Sequence, residues 1–171
     1  LASRPGFDLN QVRRDYARLL KDTGDPLLNR AVRGTYPPGS IFKLVTAAAA
    51  LDARRLEPSQ RFLCEGAYYE GGTRYGCSGV HGEVDLLGAI EHSCNAYFFQ
   101  AGRRVGSKAL ADKARRFGFG SPRGLSLGGE ETGGLLPLGD PVNMAVGQGR
   151  LLVTPIQAAC MVAAFARAGS P

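Results

Sequence analysis

The sequence lacks most of the features that classify a chain at a glance. No apolar run is long enough to span a bilayer, which excludes a membrane-crossing helix within these 171 residues. No signal-peptide pattern follows Leu1. No internal repeat, low-complexity tract or interdomain linker divides the chain. A block of like charge is missing as well. Twenty-one Lys and Arg against fifteen Asp and Glu leave a net charge of +6. The basic residues are nevertheless scattered in pairs (Arg13-Arg14, Arg54-Arg55, Arg103-Arg104, Arg115-Arg116), the pattern of solvated helix faces. Nucleic acid is therefore not expected as a partner.

What is present is an ordinary globular composition, 44% hydrophobic and 21% charged. The length suffices for one domain with a real core, or for part of a larger one. The ends favour the second. "LASRPGFDLN" reads as the close of a strand leaving into a loop with no partner strand before it. "AFARAGSP" stops just past a helix terminus marked by Gly169, so a fragment cut at both ends is expected.

Helical signals dominate. Val12, Tyr16 and Leu19-Leu20 place a surface helix in Asn10 to Asp22, followed by an extended, proline-bounded segment "DPLLNRAVRGTYPPG". Ser40 to about Arg54 repeats Ile41, Leu44, Val45, Ala48 and Leu51 at helical spacing, and Ala47 to Ala50 suit a helix buried in the middle of a domain. Phe62 to Val84 reads as irregular. "DLLGAIEHSCNAYFFQAGRRVG" reads as a helix, a break near Ser93 to Asn95, and a second helix. "SKALADKARRFGFG" is another, with Ser107 as N-cap and Gly118 or Gly120 as C-cap. After the glycine-rich "GLSLGGEETGGLLP" comes a last helix with Pro155 in its first turn.

Two short patterns carry chemistry. Ser40 and Lys43 stand three apart at the head of the buried helix, and side chains so spaced share a face. A neutral lysine there can take the serine proton, and burial lowers its pKa toward that role. The helix N-terminus offers backbone N–H groups to developing negative charge. The plainer reading makes Ser40 an N-cap and Lys43 a solvated first-turn residue. The second pattern is "EHSCNAYFF", which puts Ser93 and Asn95 at the break between two helices. Ser93 can relay a proton and Asn95 can offer its amide to a substrate backbone. S-x-x-K with S-x-N is a signature set for acyl transfer.

Taken in order, "RAVRGTYPPGSIFKLVTAAAALD", "HGEVDLLGAIEHSCNAYFFQ", "RFGFG" and "MAVGQGRLLVTPIQAACMVAAFARAG" resemble the transpeptidase domain of a class B penicillin-binding protein, nearest its elongation-type branch. The likeness runs from Leu1 to Pro171, and the ordered set is far more specific than any one motif. It implies an α+β protein of the serine β-lactamase/penicillin-binding-protein transpeptidase fold, here mainly its helical part with the core sheet incomplete. Residues 1–171 would then be a partial transpeptidase domain. The resemblance also implies a peptidoglycan D,D-transpeptidase acting on stem peptides, with β-lactams as covalent inhibitors and a membrane glycosyltransferase as partner. It implies a periplasmic catalytic domain on a single-pass inner-membrane anchor outside these residues. Ser40 would be the acylated nucleophile, Lys43 the base, Ser93 and Asn95 the second motif, and Gly147 and Gln148 substrate contacts. The family's third motif, Lys-Thr-Gly or Lys-Ser-Gly on a strand, does not occur in the sequence. Without it this piece alone is expected to be inactive. A serine β-lactamase or D,D-carboxypeptidase shares S-x-x-K, although class A β-lactamases carry S-D-N where this chain has S-C-N. A non-catalytic β-lactam sensor domain is the alternative of a different class.

Four cysteines remain. Cys160 lies in an apolar helical run and reads as a buried small hydrophobe. Cys64, Cys77 and Cys94, with His81, follow the spacing C-x12-C-x3-H-x12-C. They fit a Cys64–Cys77 disulfide, unrelated thiols, or a closed Cys₃His zinc site. The spacing is not a common zinc-finger register, so the residues alone favour the disulfide. The resemblance favours zinc, because elongation-type members hold a zinc through the histidine of an H-G segment and the middle residue of the S-x-N. His81 and Cys94 match those positions, and Cys64 and Cys77 stand where some relatives have aspartate. The expected purpose is to tie the middle segment to the Ser93–Asn95 turn.

Overall fold

A computed structural model describes residues 4–124 and 138–167. Its centre is the helix foreseen from the alanine run. A 3₁₀ turn, Gly39–Ile41, leads directly into α2, Phe42–Asp52 (α1 is the exposed helix Val12–Leu19). On α2 the residues Phe42, Lys43, Val45, Thr46, Ala47, Ala49 and Ala50 are all buried. Small side chains let neighbours approach this helix from several sides. One side meets α3 (Leu86–Glu91) and α4 (Asn95–Val105), in a core built on Phe62, Val84, Leu86, Ala89, Tyr97 and Phe98. The other side meets α5 (Ser107–Arg116) and α7 (Pro155–Ala166) through Phe42, Val45, Leu110, Phe119, Leu151 and Met161. The helix α6 (Pro141–Ala145) packs on α4 at Gly102. A Cβ there would lie 3.4 Å from the Pro141 carbonyl carbon, with the Pro141 oxygen and the Ala145 methyl closer still. Glycine is what lets those two helices touch.

Four points of the sequence reading are corrected among the described residues. Phe62 to Val84 is not irregular. It forms β1 (Phe62–Cys64), β2 (Ala67–Glu70), β3 (Thr73–Gly76) and β4 (Gly82–Val84), with the β2–β3 hairpin nested inside an antiparallel β1–β4 pair. Strands of three or four residues are too short to show a period of two, so only the Gly71-Gly72 turn, both at positive φ, marked the hairpin. The segment "DPLLNRAVRGTYPPG" is mostly turns, with Arg33 N–H donating to Asn29 O and Gly34 N–H to Arg30 O, and only Tyr36 makes a strand-like bridge, to Val153. Ser107 is the first residue of α5 and not its cap. That position belongs to Gly106 at φ +82, and Ser107 Oγ accepts from Gly139 N–H instead. Cys160 is only half-buried.

The remaining helix ends agree with the reading. Gly118 at φ +87 follows the α5 C-cap, and Pro155 opens α7 behind a Thr154–Gln157 capping box. All of the glycine-rich stretch after Gly124 lies outside the described residues, as do Gly169 and residues 1–3 at the start of the expected strand.

Candidate active site and metal centre

Ser40 sits in the 3₁₀ turn, exposed, and makes no capping bond with its side chain. The plainer explanation of this serine therefore fails. Lys43 one turn on is only 3% exposed. Its Nζ donates to Ser40 Oγ at 3.2 Å, to Ser93 Oγ at 2.8 Å and to the Ser93 carbonyl at 2.6 Å. An amine held between two hydroxyls is placed to move a proton from one to the other. Burial is the main cause that lowers the Lys43 pKa from its usual 10.5, and the Cys77 and Cys94 sulfurs oppose it by attraction.

The break between α3 and α4 is what brings Ser93 there. Asp85 caps α3 by accepting from Gly88 N–H, and the helix ends at Glu91. Ser93 then adopts φ +51, a left-handed conformation rare for a residue with a Cβ. Cys94 N–H folds back to Ala89 O at 2.8 Å, and Cys94 itself caps α4, its Sγ accepting from Tyr97 N–H. Asn95 is the first residue of α4, and its Nδ2 donates to Gly76 O at 3.3 Å. Above these groups lies an open cavity of about 260 Å³ lined by Ser40, Ile41, Lys43, Leu44, Ile90 and Ser93.

The nested hairpins gather the other predicted cluster. Cys64 ends β1, Cys77 follows β3, His81 precedes β4, and Cys94 is the α4 cap. Their ligand atoms all lie within 4.8 Å of one another. His81 Nδ1 is 3.4 Å from Cys64 Sγ and 3.6 Å from Cys77 Sγ, and Cys77 Sγ is 3.9 Å from Cys94 Sγ. All three thiols are free, so the Cys64–Cys77 disulfide is not formed. A tetrahedral zinc with Zn–S near 2.3 Å and Zn–N near 2.05 Å needs sulfurs about 3.8 Å apart and S–N separations of about 3.5 Å. The donor set fits that cage in type, number and spacing. Burial tends to raise the Cys77 pKa, but N–H donors from Ala96, Gly79 and Asn95 outweigh it and bring the thiol to about 6. Burial pushes Cys94 up to about 12. The His81 ring lies nearly parallel to that of exposed His92, with centroids 5.7 Å apart.

Gly147 and Gln148 lie in the loop after α6. Gln148 is exposed, and its N–H donates to Asn143 O. Gly147 is buried against the backbone of Gly39. Sequence reasoning missed Thr46, the next residue on the Ser40–Lys43 face, whose hydroxyl donates to Ala145 O at 2.9 Å. A hydroxyl interrupting an apolar helix was the available signal. The Tyr36–Val153 bridge had no such signal, because a single pair of extended residues has no pattern.

A serine hydroxyl beside a buried lysine amine, with a second serine across it, on a helix at the centre of a helical layer, defines the active-serine acyl-transfer class. The family model described as penicillin binding protein transpeptidase domain matches residues 1–170, and the chain belongs to that family. The peptidoglycan D,D-transpeptidase MrdA of Salmonella typhimurium is 32% identical over 180 residues, which cover 92% of this chain and 29% of that protein. The peptidoglycan D,D-transpeptidase PbpA of Mycobacterium tuberculosis is 36% identical over 186 residues, covering 99% of this chain and 38% of that one. Penicillin-binding protein A of M. tuberculosis, solved as a ceftriaxone acyl-enzyme complex, superposes with a TM-score of 0.87 at 31% identity, covering 99% of this chain and 42% of its own. Pseudomonas aeruginosa PBP2, solved in complex with WCK 5153, gives a TM-score of 0.89 at 33% identity and covers 96% of this chain and 42% of its own. The fold expected from the resemblance is thus the fold found, represented mainly by its helical part. The chain spans 29% and 38% of the length of the two curated relatives. No helix among the described residues is long and apolar enough to cross a membrane.

Proposed function

We propose that this chain carries the nucleophile and second motif of a peptidoglycan D,D-transpeptidase, the target of β-lactams. The observation that carries the reading is Lys43 Nζ within 3.2 Å of Ser40 Oγ and 2.8 Å of Ser93 Oγ. Ser40 Oγ attacks the carbonyl of the penultimate D-alanine of a stem peptide while neutral Lys43 takes its proton. The C–N bond to the terminal D-alanine then breaks, and Ser93, bridged to Lys43, passes a proton to the departing amine. An amine of a neighbouring stem peptide attacks the Ser40 ester, gives up a proton along the same route and restores the hydroxyl. Asn95 presents its amide to the donor peptide backbone, and Gln148, exposed in the loop after α6, would contact the same peptide. A Lys-Thr-Gly strand, which these residues do not contain, would add the substrate-carboxylate contact and a second oxyanion donor, each such donor being worth about 10²–10³ in rate. Likeness to PBP2 and MrdA supports work in the lateral wall, on the periplasmic face of the inner membrane, with a membrane glycosyltransferase supplying glycan strands.

Cys64, Cys77, His81 and Cys94 would hold one structural zinc. When bound, the metal supplies a closed tetrahedral clamp and no reactive water. Cys94 lies between Ser93 and Asn95, so whatever fixes its sulfur also fixes both. Purified protein is expected to contain about one zinc per chain, and a Cys64–Cys77 disulfide found by thiol titration would remove this part of the reading. For the reaction, the test is a fluorescent penicillin on the intact protein. Labelling should be lost in Ser40→Ala, and label persisting there refutes the assignment of the nucleophile.

A further inference from the structure

The segment that delivers Ser40 has little structure of its own, so something else must hold it. Two prolines precede Gly39, which adopts φ +60. The Gly39 N–H donates to the Gly147 carbonyl at 2.9 Å. Gly147 is itself at φ +72, and a Cβ on it would stand 2.7 Å from Gly39 N and 2.8 Å from Gly39 C, with Gly39 O closer still. Only a glycine can bring these two backbones together. The contact is braced at both ends. Three residues before Gly39, Tyr36 exchanges both backbone hydrogen bonds with Val153, each 2.9 Å. Two residues before Gly147, the Ala145 carbonyl accepts from Thr46 on α2, the helix that carries Lys43. The loop itself is tied to α6, with Gly147 N–H donating to Met144 O and Gln148 N–H to Asn143 O. A closed ring of contacts therefore runs from α2 through α6 and Gly147 to Gly39, and back to α2 through Ser40.

We infer that Gly147 is a positioning residue for the nucleophile, acting through the Gly39 backbone rather than through contact with substrate. This rests on the reading of Ser40 as the acylated serine. The Ser40–Lys43 separation of 3.2 Å leaves little slack before the hydrogen bond is lost. A methyl at 147 displaces Gly39, and with it the residue that follows. A misplacement of about 1 Å at a reacting group costs on the order of 10²-fold in rate.

The experiment is penicillin acylation of the intact protein, resolved into the dissociation constant of the initial complex and the rate constant of the covalent step. Gly147→Ala is compared with Gly149→Ala. Gly149 has nearly the same backbone conformation, φ +74, but a Cβ there would meet only the Asn143 Cβ at 3.3 Å and Asp140 Oδ2 at 3.5 Å. The two variants share the strain of alanine at positive φ and differ in the Gly39 contact. Gly147→Ala should lower the covalent rate constant by about 100-fold with initial binding within about threefold. Gly149→Ala should stay near wild type in both. Equal covalent rates for the two variants overturn the inference. So does a Gly147→Ala defect confined to initial binding, which makes Gly147 a substrate contact. Absence of Ser40 labelling in the wild type overturns the functional reading itself, a separate result. Should Gly147→Ala not fold, amide hydrogen exchange on the wild-type protein decides. Gly39 should be protected as Tyr36 is, and exchange of Gly39 at the rate of an open loop overturns the inference.

Discussion

Replacing Gly102 by alanine sets two effects of known size against each other. Gly102 lies inside α4, where alanine is the better helix former by about 0.5–1 kcal/mol. Propensity alone therefore makes Gly102→Ala stabilising. The structure reverses the sign. The new methyl would stand 3.4 Å from the Pro141 carbonyl carbon and inside contact distance of the Pro141 oxygen and the Ala145 methyl. Two of those atoms belong to backbone, and Ala145 is fully buried, so none can swing away. Overpacking of this kind costs about 1–3 kcal/mol, occasionally more. The steric cost wins, and the variant should be less stable by about 1–2 kcal/mol, lowering the melting temperature by about 2–4 °C for each kcal/mol. Acylation should slow as well, because α6 leads into the loop that holds Gly39. The assay is a thermal melt of the intact protein, followed by penicillin labelling. A Gly102→Ala protein as stable as wild type would show that α4 and α6 are not in direct contact at this position.

The other predictions concern Lys43 and the thiol cluster. Burial holds the Lys43 amine below 10.5. Because the base must be neutral, the acylation rate should rise with pH through this ionisation and level off below the ordinary lysine range. Stopped-flow acylation across the alkaline range checks this, and a limb centred at or above 10.5 contradicts it. Lys43→Met should remove the limb and about 10²–10⁴ of the rate. Stripping zinc with a strong chelator, or Cys94→Ser, should lower both the melting temperature and the acylation rate, and added Zn²⁺ should restore the chelated protein but not the variant. A melt indifferent to chelation excludes a structural metal.

The parts of this protein legible in the sequence were those in which one helix carries the signal. The alanine run announced a buried α2, and the three-residue step from Ser40 to Lys43 was enough to place both on one of its faces. The α3–α4 break was visible because Ser93, Cys94 and Asn95 interrupt two apolar periods. The hairpins between Phe62 and Val84 were not visible, since strands of three residues have no periodicity to read. For Cys64, Cys77, His81 and Cys94 the residue types were suggestive, but their meeting depends on a β2–β3 hairpin nested inside β1–β4.

The sequence by itself determined the longer helices, the first half of the acyl-transfer site, and a choice of readings for the cysteines. Local spacing is enough for those, because a helix converts separation along the chain into a fixed distance in space. Only the tertiary structure decided that Lys43 reaches Ser93 fifty residues away. Only it brought the three thiols and His81 within 4.8 Å of one another, and laid Gly147 against Gly39. These are contacts between elements, set by how small residues such as Gly102, Ala50 and Gly147 let backbones approach.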